Sequence, residues 1–230
     1  MSIRGNFYGL LGHLNHSKKK YGKAEKYYSK ATKADMTRGT YRLSYGVLLL
    51  NMGEFNKAKG IFSDVLTDYS QQDKTRTMAK MNLALAYWKL GELDTGIEML
   101  MELDSKIKNS KIYGALGYML IEKGDLDRAL KYNLEALDYD DEDPVLLDNL
   151  AQTYYEMGDL EKAKEYFLKV EEINSEQVTM LYHLACIYER EGNIELALDK
   201  LSKALECRIT PLSTISRQEI QDKFDELKTD

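Results

Sequence analysis

Three histidines, His13, His16 and His183, and two cysteines, Cys186 and Cys207, are the side chains of this 230-residue chain best suited to hold a metal or act as nucleophiles. His13 and His16 stand three apart, as do His183 and Cys186, a spacing that puts each pair on one face of a helix. Each pair offers two ligands where a closed zinc site needs four. A third concentration, Asp138, Asp140, Asp141, Glu142 and Asp143, lacks the Asx and glycine spacing of a calcium loop. It runs into Pro144, and acids there favour the positive end of the helix that a proline opens. No glycine-rich phosphate loop, nucleophile elbow or Cys-x-x-Cys occurs. Catalysis, a metal and a cofactor are therefore not expected, and the histidines read as polar residues lining a surface.

The elements that carry these side chains must be helices. Only two prolines and 15 glycines punctuate the chain, too few for the tight turns of a sheet protein, and strong helix formers dominate. Two cysteines cannot build a disulfide framework and read as reduced thiols. With no basic-then-apolar leader, and with "VLLL" at Val47 to Leu50 as the longest aliphatic run, the expected location is cytoplasmic, without a membrane span. Charge is uneven: residues 1–50 hold 10 Lys/Arg against 2 Asp/Glu, and the remainder 22 against 36.

A period governs the chain. Small residues recur at Ala24, Ala58, Gly96, Ala129, Ala163 and Ala197, spaced 34, 38, 33, 34 and 34 apart. Five residues before each stands Lys19, Gly53, Gly91, Gly124, Gly158 or Gly192, followed by a polar residue and then an apolar one, as in "GDL". Glycine takes the positive φ that ends one helix, and the acid or Asn beyond it is expected to cap the next. Before each turn, pairs such as Leu83/Tyr87 and Leu150/Tyr154 lie at i, i+4, and after it Phe62/Val65 and Phe167/Val170 lie at i, i+3. Each unit is thus two antiparallel amphipathic helices, brought close by small residues at Gly12, Gly46, Ala84, Gly117, Ala151 and Ala185.

This pattern resembles the tetratricopeptide repeat (TPR) family, with motifs over residues 5–38, 39–72, 77–109, 110–143, 144–177 and 178–209 and a capping helix over 216–228. Repeat 1 departs at its turn, where Lys19 replaces glycine, and at Asn15; Asn133 stands where repeat 4 calls for Phe or Leu. Four extra residues within Thr67 to Arg76 should lengthen a helix or loop. Ser216 and Glu219 form a capping-box pair, with Ile220, Phe224 and Leu227 as the stripe that seals the last repeat. The resemblance implies a single right-handed α-α superhelix that binds protein or peptide in a concave groove lined by first helices. Repeat phase places His13, Leu43, Val47, Asn51, Met78, Met81, Asn82, Leu85, Trp88, Lys111, Tyr118, Asn149, Gln152, Tyr155, Tyr182, His183 and Cys186 there. Of these, Leu43, Val47, Met78, Met81, Leu85, Trp88 and Tyr118 form a Met-rich apolar strip across repeats 2–4, suited to an apolar or amphipathic peptide.

The dicarboxylate clamp of chaperone-binding TPR domains is not expected. Asn82 and Lys111 match fragments of it, but Leu43 and Val47 occupy its first pair and Ala115 its last basic position. Nor does the first helix of each unit carry the Tyr-Asn pattern of pentatricopeptide RNA-binding repeats, so nucleic acid is not an expected partner. The lysines of repeat 1, Lys18, Lys19, Lys20, Lys23, Lys26 and Lys30, read as a solvated face, with contact to an acidic partner, anionic lipid or nucleic acid, or to the acidic remainder of another copy, as the alternatives. The opening "MSIRGNFYGLLGHLN" is expected to enter its helix without a cap, and Ile3, Phe7, Leu10 and Leu14 form an apolar stripe with nothing before it. Self-association through that edge is the alternative function.

Overall fold

The computed structural model describes residues 2–229, and they form helices, with no strand among the described residues. In chain order these are α1 (Ile3–Ser17), α2 (Tyr21–Lys33), α3 (Gly39–Asn51), α4 (Phe55–Thr67), α5 (Asp73–Lys89), α6 (Leu93–Asp104), α7 (Ser110–Glu122), α8 (Leu126–Tyr139), α9 (Pro144–Glu156), α10 (Leu160–Ile173), α11 (Val178–Arg190), α12 (Ile194–Glu206) and α13 (Arg217–Thr229). They fall into two compact units: Met1–Ser105, with the first three hairpins, and Lys106–Asp230, with the other three and α13.

The turns form as the glycine spacing requires. Gly53, Gly91, Gly124, Gly158 and Gly192 take φ between 76° and 83°, and Lys19 takes the same left-handed backbone at 57°. The residue after each of these turn positions gives its amide to a carbonyl five residues back, as Glu54 N to Leu49 O at 2.9 Å and Asp125 N to Leu120 O at 3.2 Å. This closes each first helix with a Schellman motif. The expectation that the same residues cap the following helix fails at Glu54, Glu92, Asp125 and Asn193, whose side chains make no cap bond. It holds at Asp159, which accepts from Lys162 N. The opening also differs from expectation: Ser2 caps α1, accepting from Gly5 N at 3.0 Å, and its hydroxyl donates to Ala34 O.

Close approach is built from small residues facing large ones. A Cβ on Gly46 would sit 2.4 Å from the Phe62 ring, and one on Gly12 would sit 2.6 Å from the Tyr28 ring. Both rings are fully buried. Each contributes roughly 1.5–3 kcal/mol of burial free energy. The four extra residues lengthen a helix: α5 has 17 residues where the other first helices of unit 1 have 15 and 13. In the second unit the core runs through Ala151, Phe167, Leu184 and Leu201 to Ile220 and Leu227 of α13. The capping box closes as expected, with Ser216 N on Glu219 Oε2 at 2.7 Å and Glu219 N on Ser216 Oγ at 3.1 Å. Pro144 opens α9 behind Asp143, whose carboxylate accepts from Val145 N at 2.8 Å.

Candidate functional site

In the first unit, the expected inward positions lie on α1, α3 and α5. Four apolar side chains of α5, Met78, Met81, Leu85 and Trp88, follow one another at steps of three and four residues, which stacks them along one face. Met78 is 41 % exposed and the other three are half-buried. Lys89 places its ammonium 4.1 Å from the centre of the Trp88 ring, a cation–π contact that holds the indole from one side. On α3, Val47 and Asn51 are half-buried, and Asn51 turns its amide back onto Val47 O at 2.9 Å.

Two expected residues of this unit are buried. Leu43 has 6 % of its surface exposed, and Asn82 donates to Met78 O at 2.8 Å within its own helix. Neither presents a free contact surface. His13 and His16 are brought together, but on a hydroxyl: their Nδ1 atoms lie 3.0 and 3.1 Å from Ser44 Oγ, to which Tyr28 donates at 2.7 Å. No group of three metal-ligating side chains occurs among the described residues.

The second unit treats the same register positions differently. Lys111 is exposed, but Asn149 and Gln152 are buried. Asn149 donates to Gly114 O at 2.8 Å, and Gln152 donates to Asp148 Oδ2 at 2.7 Å. Their amides are consumed inside the protein, which corrects the expectation that both face a ligand. Asp148 is fully enclosed, and loss of water raises its carboxyl from 3.8 to about 7 against the opposing bonds from Gln177 and Gln152. Tyr118 donates to Glu122 Oε1 at 2.5 Å. Burial first, and then that carboxylate, push its hydroxyl pKa upward.

Tyr155, half-buried, lies edge-on to His183 at 4.7 Å, with the Arg190 guanidinium 5.3 Å over its ring. Burial lifts its hydroxyl to about 12. His183 stacks on Phe167 at 5.4 Å, holds Thr179 O at 2.8 Å through Nδ1, and is pulled by burial from 6.5 to about 4. Cys186 is buried, which raises its thiol pKa, so it is no ready nucleophile. Asp148 was missed by the sequence reading. The signal was present, because it stands in the phase of Leu43 and Met81, where an acid in an apolar series calls for an explanation.

Residues 2–140 match the family model described as the SusR N-terminal TPR domain, and residues 146–177 and 178–206 each match a tetratricopeptide repeat model. No curated protein matches the chain. Among solved structures, it resembles a tetratricopeptide repeat protein from Parabacteroides merdae, with 16 % identity and a TM-score of 0.80 over 97 % of this chain and 83 % of that one. A thermophilic TPR protein from Thermus thermophilus is 20 % identical, with a TM-score of 0.68 over 83 % of this chain and 99 % of the other. The pilF protein of Pseudomonas aeruginosa is 15 % identical, with a TM-score of 0.65 over 96 % and 97 %. At such identities the likeness is one of fold, the all-α TPR superhelix.

Proposed function

Because the chain belongs to the tetratricopeptide repeat family, we propose that it is a scaffold or adaptor holding an apolar or amphipathic segment of another protein against α3 and α5. TPR proteins bind proteins or peptides and are in general non-enzymatic scaffolds. No helix among the described residues is long and apolar enough to cross a membrane.

The observation that carries this reading is the row Met78, Met81, Leu85 and Trp88, apolar and partly open, with Met81 and Leu85 at the positions where α9 keeps the buried Asp148 and Gln152. Thioether chains adapt to varied partners, and an aromatic side chain supplies the rigid anchor typical of binding hot spots. Val47 extends the row. Tyr118, Tyr155 and Lys111 remain candidates for a separate contact on the second unit, without Asn149 and Gln152.

A fluorescein-labelled amphipathic helical peptide, compared by anisotropy with a scrambled peptide of equal composition, tests the reading. The Met81→Ala, Trp88→Ala double variant should bind the first at least about tenfold more weakly. Leu134→Ala, which trims an exposed leucine of α8, should bind as the parent does. Equal binding of both peptides, or equal loss in both variants, would remove the row from consideration.

A second reading rests on α1, where Ile3, Phe7, Leu10 and Leu14 are 86, 56, 38 and 45 % exposed. We propose this stripe as the edge through which copies of the chain would associate. Sedimentation velocity over a concentration series checks it: Phe7→Ser should lower the mass average, and a parent that stays monomeric throughout would exclude it.

A further inference from the structure

Ser44 Oγ is the meeting point of three ring side chains. Tyr28 of α2 donates to it at 2.7 Å, while Nδ1 of His13 and Nδ1 of His16, both on α1, approach to 3.0 and 3.1 Å. A serine hydroxyl has two acceptor positions and one proton. With Tyr28 filling one position, Ser44 can accept from one Nδ1–H and must give its proton to the other Nδ1. The two neutral imidazoles are therefore opposite tautomers, one protonated at Nδ1 and the other at Nε2.

A first added proton fits, because it enters the Nε2 of the ring that already donates. A second must enter the Nδ1 that accepts from Ser44, and three donors would then share one oxygen. Reversing the Tyr28–Ser44 bond does not help. It strands the Tyr28 proton in a place where the ring has no exposed surface, and burial already raises that hydroxyl to about 12. An orphaned buried donor costs about 1–3 kcal/mol.

The rings packed against the two imidazoles are tyrosines, which carry no charge at neutral pH. From α2 the imidazoles face Tyr21, with its ring 5.8 Å from His16, and Tyr28; from α3 they face Tyr41, 5.8 Å from His13, with Tyr45 stacked on Tyr28 behind. Burial and the neighbouring His13 lower the His16 pKa, and its contact with Ser44 opposes them.

We propose that His13, His16, Tyr28 and Ser44 form an acid-sensitive latch that fastens α1 and α2 to α3 at neutral pH and releases α1 when both imidazoles carry a proton. The same proton count disfavours a metal on both Nε2 atoms, because each imidazole would then keep its proton on Nδ1.

Two measurements test the latch. Long-range nitrogen–proton NMR of the parent near pH 7.5 should show one Nδ1–H and one Nε2–H tautomer for His13 and His16; finding the same tautomer in both would overturn the proton count without any substitution. Amide exchange of α1, corrected for intrinsic pH dependence and referenced to α6, should lose about tenfold protection between roughly pH 7.5 and 5. In His16→Gln the amide oxygen can accept the Ser44 proton and cannot charge, so His13 donates through Nδ1, takes its one added proton at Nε2, and that loss should vanish. A parent with constant α1 protection, or a variant that loses as much as the parent, would sink the proposal.

Discussion

The two units use the same helical hairpin but differ in chemistry at two inward register positions, where Met81 and Leu85 of α5 correspond to Asp148 and Gln152 of α9. In the first, α5 presents Met78, Met81, Leu85 and Trp88 with surface to spare. In the second, α9 has Asp148 and Gln152, buried and bonded to each other, while Asn149 repeats the buried Asn82 of the first unit. Register alone therefore does not make a binding surface. What decides is whether the protein's own groups engage the side chains at those positions, as Gln152 and Asp148 engage each other in the second unit.

The sharpest way to break the contrast is Asp148→Asn. The folded-state carboxyl titrates at about 7, above its ordinary 3.8, so the folded state holds a proton that the unfolded chain releases, and stability falls as pH rises through that interval. His183 runs the other way. Its folded value of about 4 lies below 6.5, so its contribution is complete above 6.5 and is lost as pH falls towards 4. Between about 4 and 6.5 the two slopes cancel, and the parent's stability should be nearly flat over that range as far as these two groups determine it. Asp148→Asn keeps an acceptor for Gln152 and should add up to about 4 kcal/mol near pH 8, little at pH 4, and reveal the acid loss due to His183. Chemical denaturation across pH checks this; an unchanged midpoint at pH 8 would mean that the carboxylate is not enclosed.

The second prediction concerns the close contact in the first unit. Gly46→Ala drives a methyl into the buried Phe62 ring, which should cost about 1–3 kcal/mol, offset in part by the better helix propensity of alanine, about 1 kcal/mol. At the equivalent position of the second unit Ala151 already faces Phe167, and Ala151→Gly should lose about 1 kcal/mol instead. Opposite substitutions that both destabilise would show that the paired helices are spaced differently in the two hairpins; a neutral Gly46→Ala would show that the ring yields.

What could be read in advance was whatever repeats. The small residues, the turn glycines and the stripes of each hairpin obey one local rule every 34 residues, and the helices begin and end accordingly. The surplus in repeat 3 was legible as four residues too many and became one added turn of α5. Whatever depends on a single non-periodic contact was not legible. Asn149 and Gln152 carried the right phase for an inward surface, but their amides are taken by Gly114 O of the preceding repeat and by the Asp148 carboxylate. Asn133 was an evident departure, yet its partner Thr153 Oγ1, at 3.0 Å, belongs to the next repeat. The acids after the turns misled for a local reason: their amides close the preceding helix, and the backbone geometry this imposes leaves most of their side chains off the next.

The smallest effect probes the one turn where the repeat lacks glycine. Lys19 holds φ 57°, a conformation that costs an L-residue roughly 1–2 kcal/mol. Its side chain is exposed, so Lys19→Gly loses no packing contact; it removes the strain and gives back part of the gain through the freer unfolded chain. The net expectation is a stabilisation of about 0.5–1 kcal/mol. Gly91→Ala is the matched reverse: φ is 82°, nothing lies within 4 Å of the added methyl, and the loss of about 1 kcal/mol should come from backbone strain alone. Thermal unfolding of the two variants separates strain from packing. If Lys19→Gly destabilises, the lysine must serve the first turn through a contact that its exposed position does not disclose.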